Sequence, residues 1–484
     1  MIAESLTHPP VITADVLIIG GGLSGALLAW QLLRRGGARM IVVFEPRAEL
    51  GRGEAYSTEE PDHTLNANAA RMSIDPDAPD DLTHWLTEHL AAGGWPQGAA
   101  QRQPIELLFP PRGLFGRYVQ ERLGQAMAEA PGISVRHVRA EAEDAWPVPG
   151  GICVQAGTQR WQAPIAVLAT GVFPAARTPR RGSPATAALA LDPWDVGRMA
   201  RLPVEAPVAI VGTGLTMIDG LLSLRRAGHQ GPVQVFSRHG LLPQPRRQPP
   251  AWPDFLCLDS SLRTPLQLSR ALRRQCRLAV SQGVDWQAPL DTVRAHVARL
   301  WHQASEGQRR QFVRHLRPWW ESHHHRSPPQ GAAWLAQLLS EGRLTLEAAC
   351  LIASEPAPEG LELTVRPRGR EQAEPRRFAA LIDSSGIEYD WRRVERPLPR
   401  QLLARGLVRP GPLGLGIDAD PSGAVIGATG QVSDRLLAMG PPLRGLWWES
   451  TSVTDVAAQA RALALHIAQL GFNAPKVGKT GVSQ

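Results

Sequence analysis

One short pattern occurs twice in this chain and constrains its fold more than any other feature. Residues 16–45 read VLII, then GGGLSG, then ALLAWQLLRRG, then, after a short loop, MIVVFE. An apolar run, a glycine turn, a one-sided apolar helix closing on Arg34, Arg35 and Gly36, and a second apolar run predict strand, turn, helix, strand: one βαβ unit. From Val208, VAIVGTG leads into LTMIDGLLSLRRAG and VQVFS in the same order. The fold class expected is therefore α/β, with two Rossmann-like dinucleotide-binding domains, the second inserted in the first.

Each residue type in the first pattern has a physical task. Gly20, Gly22 and Gly25 form G-x-G-x-x-G directly after a strand and at the opening of a helix. The first glycine permits the tight turn, the second lets a pyrophosphate approach the backbone, and the third lets helix and strand pack closely. Leu23 and Ser24 sit between them as further cofactor-binding positions, and the helix N-terminus offers free N–H groups and partial positive charge. Glu45, at the end of the next strand, is expected to accept hydrogen bonds from a ribose and to repel a 2′-phosphate. A glycine turn used only for packing is the alternative.

The second copy keeps Gly212 and Gly214, with Leu215 following, but has Met217 in place of the third glycine, which predicts a helix set slightly farther from its strand. Its next strand ends in Ser237 and Arg238 instead of an acid, which suits a 2′-phosphate and hence NADPH, with NADH also open. Arg238 as an ordinary surface arginine is the competing reading. Thr170 and Gly171, in IAVLATG, end a third apolar strand where the backbone can approach a ligand, and IDSSG at 382–386 has the same form.

Composition excludes several chemistries. All but two of the 52 basic residues are arginine, the exceptions being Lys476 and Lys479, so no lysine is placed for a Schiff base or a phosphate loop. The net charge of +7 is spread along the chain, unlike the clustered footprint of a nucleic-acid binder, and no nucleic-acid partner is expected. Cys153, Cys257, Cys276 and Cys350 include no C-x-x-C, which disfavours a disulfide reductase. No leader-like opening and no apolar run of spanning length is visible, so no membrane partner and a cytoplasmic location are expected. His323, His324 and His325 point in different directions on a helix and offer no i, i+4 pair, so no metal is expected.

The stretch GRGEAYSTEEPDHTLNANAARMSIDPDAPDDLTHWL (51–86) resembles, motif for motif, a bacterial family of FAD/NAD(P)-binding proteins that includes FAD-dependent urate hydroxylases and L-aspartate N-hydroxylases. FPPRGLFGRYV (109–119), VGTGLTMID (211–219), SRHGLLP (237–243), WWESHHHR (319–326) and GPPLRGLWWESTSV (440–453) extend the resemblance over nearly the whole chain. It implies FAD at the first turn and a nicotinamide nucleotide at the second. It also implies that Arg52, Tyr56 and Asn66 lie near the flavin ring or pyrophosphate, with Asn66 the one candidate for a catalytic role. Tyr56 as a core aromatic and Asn66 as a turn residue are the plainer alternatives.

The resemblance places residues 1–205 as the first part of the FAD-binding domain and 206–375 as the NAD(P)-binding domain, with an Arg- and Trp-rich helical insertion at about 245–345. Residues 376–470 return to the FAD-binding domain, and 471–484 form a flexible tail. A last helix beginning near Ser452 is expected to turn its N-terminal dipole toward the flavin. Arg317, His325 and Arg326 are candidates for binding an anionic or purine-like substrate where the insertion meets the flavin, against the alternative of a solvated basic helix face.

The function implied is an FAD-dependent NAD(P)H oxidoreductase of single-component monooxygenase type, working with O2 through a C4a-hydroperoxyflavin on a small molecule. A reductase with the same cofactors and a flavin-sensing module are the rivals. Neither the substrate nor the oligomeric state can be read from the residues.

Overall fold

The structure is a computed structural model that describes residues 10–96, 102–175, 190–258, 262 and 264–470. The tail at 471–484, the opening residues, and residues 176–189 of the Pro- and Arg-rich stretch at 174–205 lie outside the described residues.

The first glycine pattern builds the centre of a six-stranded sheet. Strand β1 (Val16–Ile19) is buried at every position and pairs in parallel with β2 (Met40–Phe44) on one side and with Ile165–Leu168 on the other. Ser134–Val138 extends the sheet beyond β2, and Val432–Ala438 with Ala424–Ile426 completes it beyond Ile165–Leu168. Strands from both ends of the chain therefore share one sheet. Helix α1 (Leu23–Arg35) lies in a core with β1 and with the last helix, whose Val453, Val456, Ala457, Ala460, Leu463, Ala464 and Ile467 form a buried helical stripe.

The second pattern repeats this plan within a seven-stranded sheet. Strand β3 (Val208–Val211) lies between β4 (Val233–Ser237) and Ala380–Asp383, all parallel, and helix α2 (Leu215–Arg226) packs on them. Two boundaries differ from the sequence expectation. Ala190–Leu191 already pairs with Ala380–Asp383, so the chain enters the second unit before residue 205. Ala380–Asp383 also belongs to this sheet, so the return comes later than residue 376, at a short antiparallel ladder joining Ile387–Glu388 to Phe173–Pro174. Single β-ladder pairings over two to four residues decide both boundaries, and no local composition marks them.

Between β4 and the strand Leu344–Ala357, the chain forms a run of helices that includes Pro265–Ser281, Gln287–Arg294, Val297–Gln303, Arg317–His324 and Pro329–Ser340. Phe312–Leu316, just before the fourth of these, is a π-helical turn. No described helix is long and apolar enough to cross a membrane.

The two units are latched together by polar contacts. Arg112 makes a two-pronged contact with Asp219 of α2 at 2.6 and 3.2 Å, and Trp194 donates to the same carboxylate at 3.0 Å. Ser223 gives its proton to the Pro193 carbonyl, so the fully buried His63 donates from Nε2 to Ser223 Oγ at 3.0 Å. Its Nδ1 then accepts from Thr58 Oγ1 at 2.8 Å, which fits a neutral imidazole. Burial, with Arg112 nearby, holds His63 below its usual pKa despite the pull of Asp219.

Candidate functional site

The first turn has the geometry a dinucleotide needs. Gly20 has φ +105°, and a Cβ there would stand 2.3 Å from the Ala169 carbonyl. A Cβ on Gly25 would lie 1.8 Å from the Gly20 carbonyl, so only hydrogen fits between helix and turn. Gly22 faces Gly53 of the following loop, where an added Cβ would come within 3.2 Å of the Gly53 Cα. No side chain caps α1 at Gly22, and no acid stands in its first turn, which leaves its N-terminal amides for a ligand. Leu23 opens the helix, and Ser24 is buried beside Gly440.

Glu45 is buried at the end of β2. It accepts from the Gly21 amide at 3.1 Å and from Arg47 at 3.2 Å, so the turn and the acid hold each other in place. Thr170 follows the neighbouring strand, and its Oγ1 is buried with no hydrogen-bond partner in the protein. A buried hydroxyl without a partner is costly unless something else satisfies it, and a bound cofactor would. Gly171, next to it, has φ +70° and open space around its Cβ position. These features fit FAD.

The other residues of the 51–72 segment divide. Arg52 donates to the Tyr56 carbonyl at 3.0 Å and pairs with Glu59 at 2.6 Å and Glu49 at 3.4 Å, so its guanidinium ties its own loop together. Tyr56 packs on Phe115 at 4.8 Å, and burial pushes its hydroxyl up to about 12. Asn66 is half-buried beside buried Leu65. Sequence reasoning passed over its neighbour Asn68, whose Oδ1 is buried without a partner.

The second turn repeats the first with more room. Gly212 has φ +102°, and its Cβ would meet the Ser384 carbonyl at 2.0 Å, as Gly20 meets Ala169. Gly214 opens α2 without a side-chain cap and has nothing within 4 Å of its Cβ position; Leu215 begins the helix. Met217 is fully buried in the core of this unit. Arg238 is exposed just past β4 with no ion-pair partner among the described residues, in the same neighbourhood as Arg368 and His239.

Where the helical insertion meets residues 440–452, aromatic rings pack into a buried cluster. Trp301 packs on Trp448 at 4.8 Å, Phe312 meets Trp448 edge-on at 5.0 Å, and Trp320 stacks on His324 at 4.4 Å. Arg317 and His325 reach this region and share one carboxylate, Glu321, at 3.3 and 3.1 Å. Arg444, nearly sealed from solvent, joins them at 3.6 Å while lying over Trp448 at 4.1 Å. Burial pushes the Glu321 carboxyl up, but His325, Arg444 and Arg317 together hold it well below the usual carboxylate range. Burial, with His325 and nearby arginines, pushes His324 well down, so it is neutral. Trp320, Trp448, Arg444, Glu449 and Ser450 each carry a buried polar atom with no hydrogen-bond partner.

Arg326 corrects the sequence expectation. It is wholly buried and donates to the His323 carbonyl, Gln287 and Asp291 at 2.8, 2.8 and 2.6 Å. It therefore staples the insertion together, with no surface left for a substrate. Glu321 and Arg444 were missed, although the spacing Arg317, Glu321, His325 places three ionisable groups on one helical face.

Ser452 caps the last helix, α3 (Val453–Gln469). It accepts from the Asp455 amide at 3.4 Å and takes a hydrogen bond from Arg294 of the insertion at 2.9 Å. Elsewhere in the insertion, Asp254, Cys257 and His296 converge within 4.8 Å. Arg299 donates to His296 Nδ1 at 3.0 Å, which directs the Nε2 proton to Asp254 at 2.7 Å and leaves that ring no lone pair for an ion.

Two Rossmann-type units, the second lodged within the first and carrying helices, define the fold. Residues 17–173 match a family model described as FAD-NAD(P)-binding, a span that contains the first glycine turn and the 51–86 and 109–119 segments. The fold superposes on the ornithine N-hydroxylase of Kutzneria sp. 744, solved with reduced FAD, NADP+ and L-ornithine, over 95% of this chain and 99% of that one, with TM-score 0.64 and 15% identity. The reduced ornithine hydroxylase of Pseudomonas aeruginosa gives TM-score 0.61 at 14% identity, over 95% and 99% of the two chains. The L-lysine 6-monooxygenase of Pseudomonas syringae gives 0.61 at 14%, over 94% and 99%. At these identities the likeness is one of fold. A search of curated proteins found no match.

Proposed function

We propose that this chain is an FAD-dependent, NADPH-using monooxygenase that hydroxylates a small organic molecule at nitrogen or carbon. The observation that carries the reading is the aromatic cluster where the insertion meets residues 440–452. Its tryptophans and Phe312 exclude water, while Arg444, Glu449 and Ser450 each carry one buried polar atom without a hydrogen-bond partner among the described residues. The nearly whole-chain fold likeness to amine-hydroxylating flavoenzymes supports it. So does the wide spacing of the four cysteines, which form no C-x-x-C pair.

When bound, FAD supplies hydride acceptance and oxygen activation. The chain's own residues do the rest. The amides at Gly22 to Ser24 receive the FAD pyrophosphate, Glu45 the ribose, and Thr170 Oγ1 a polar edge of the cofactor. Gly212, Gly214 and Leu215 receive the nicotinamide nucleotide, with Arg238 on its 2′-phosphate. Arg317 and His325, fixed by Glu321, are the groups that would hold the substrate's polar atoms beside the aromatic cluster.

The test is NADPH oxidation by purified holoprotein across a panel of small amines, amino acids and purines. The proposal expects oxygen uptake in step with a product that has gained one oxygen atom. Equally fast anaerobic turnover on an artificial electron acceptor, with no oxygenated product, would establish a reductase instead.

A further inference from the structure

One stretch of the first unit reaches from its own glycine turn to the helix of the other. Residues 53–64 begin where Gly53 lies over the first turn, so close that a Cβ on Gly22 would come within 3.2 Å of the Gly53 Cα. They then run along the helix Arg112–Glu129. A Cβ on Gly113 would stand 2.3 Å from the Thr58 carbonyl, and one on Gly116 would stand 2.7 Å from the Tyr56 carbonyl, so these two glycines let the stretch lie flat on that helix. Within it Ser57 Oγ donates to the Gly53 carbonyl, the Glu60 amide to Thr58 Oγ1 at 3.2 Å, and the His63 amide to the Glu60 carbonyl at 3.1 Å. Seating and internal bonds together make a stiff strap.

The far end of the strap grips α2, the helix that opens at the second turn. Asp62 pairs with Arg225 at 2.6 Å and accepts from Gln330 of the insertion at 2.6 Å, while Glu60 stands 3.6 Å from Arg226. His63 donates to Ser223. Arg112, whose amide bonds the His63 carbonyl at 2.8 Å, adds the two-pronged contact with Asp219. The grip therefore runs from the second turn of α2 to its last residue. Asp219 and Ser223 are buried, and a carboxylate held by two guanidinium nitrogens and the Trp194 indole N–H has one arrangement, not many.

We propose that this strap is a positioning element for hydride transfer: Asp62, His63 and Arg112 fix the direction of α2 relative to the FAD turn, so that a nucleotide held at 212–215 brings its nicotinamide ring to the flavin in one orientation. This rests on the placement of FAD and NADPH in the proposed function, and not on its oxygen chemistry. In the step concerned NADPH loses a hydride, two electrons with one proton, to the flavin ring and leaves as NADP+, while FAD becomes two-electron-reduced. The rate of such a step depends steeply on how the rings meet, and a misplacement of about 1 Å costs on the order of 100-fold. Affinity has a separate origin. It comes from the amides at 212–215 and from Arg238, none of which makes a hydrogen bond or ion pair with the strap among the described residues.

The test uses FAD-loaded protein without oxygen or substrate and compares the parent with Asp219→Asn, Asp219→Glu and Asp62→Asn. It reads NADP+ affinity by calorimetry, the limiting rate of flavin bleaching at saturating NADPH, and the rate of bleaching by dithionite, which needs no nucleotide. Asp219→Asn is expected to lower the limiting rate with NADPH about 10- to 100-fold while NADP+ affinity and the dithionite rate stay within about twofold of the parent. Asp219→Glu, which keeps the charge, should recover part of that rate. Asp62→Asn, at a side chain 28% exposed, should lower it several-fold and keeps the test alive if the Asp219 variants do not fold. Limiting rates equal to the parent's in both Asn variants would overturn the proposal. So would a loss of NADP+ affinity in step with the rate, which would mean that the contacts only keep the nucleotide site in shape. A parent protein bleached by dithionite but not by NADPH would remove the nucleotide placement, and the strap's role with it. The strap is judged on these anaerobic rates alone, so a protein that yields no oxygenated product in air loses the monooxygenase reading and keeps the strap.

Discussion

The two glycine turns share a plan but differ in closure. At the first, Gly22 lies against Gly53 of an overlying loop, the Gly21 amide is pinned to Glu45 at 3.1 Å, and Ser24 is buried under Gly440. At the second, Gly214 has open space around it, no acid stands at the end of β4, and Arg238 is exposed without a partner among the described residues. A cradle that wraps its ligand suits a group that stays, while an open one suits a nucleotide that arrives and leaves within each turnover. Under the proposed function, the same local pattern serves retention in one unit and exchange in the other.

The sharpest way to break this contrast is to add one methyl group to each unit. Gly25→Ala places a Cβ 1.8 Å from the Gly20 carbonyl, and we expect loss of bound FAD together with several kcal/mol of stability, about 3 or more, read as flavin-to-protein ratio and Tm. Gly214→Ala meets nothing within 4 Å and should leave both unchanged. Equal losses in the two variants would mean that the turns do not differ in closure.

Next in size is Arg238→Ala. Removing a charged hydrogen bond to a 2′-phosphate should raise KM for NADPH by about 10- to 100-fold and change that for NADH by less than about twofold. Steady-state kinetics with both nucleotides decides it, and a parallel rise for the two would make Arg238 a general surface charge.

Thr170→Val keeps the shape of the side chain and removes the unpartnered hydroxyl. Its cost should be about 1 kcal/mol of FAD affinity, roughly fivefold, measured by flavin fluorescence on reconstitution of the apoprotein. Tighter FAD binding would show that the hydroxyl faces protein and not cofactor.

The smallest effect tests the latch between the units. His63 is neutral in the folded protein, and burial keeps its pKa below the ordinary 6.5. The unfolded chain therefore binds more protons as pH falls below that value. The latch's contribution is complete above the ordinary pKa and declines as pH falls toward the lowered folded one. Tm should drop from pH 7.5 to 5.5, and His63→Gln should lower Tm at the higher pH while flattening that dependence. An unchanged slope in the variant would assign the pH effect to other buried histidines such as His229 and His324.

Much of the fold could be read because it is local. Strand, glycine turn and helix need only neighbouring residues, so Gly20 to Gly25 and Gly212 to Leu215 fall where the pattern puts them. The last helix is likewise capped at Ser452 as its sequence suggests. The charged groups around the aromatic cluster were harder. Arg317 and His325 were visible, but their partnership with Arg444 through Glu321 joins segments more than a hundred residues apart. Arg326 misled for the same reason, since its sequence neighbours give no hint that Gln287 and Asp291 already occupy it. Asn68 and Thr170 stand out only once their polar atoms are seen to be buried and unpartnered.

The amino-acid order by itself determined the two βαβ turns and the helices that open from them, because glycine's freedom and apolar periodicity act over a few residues. Only the tertiary structure decided which arginines are spent on internal ion pairs, like Arg326, and which, like Arg238, have no ion-pair partner among the described residues. A charge is neutralised by whatever lies within a few ångströms of it, and that is a property of the folded surface, not of the string of residues.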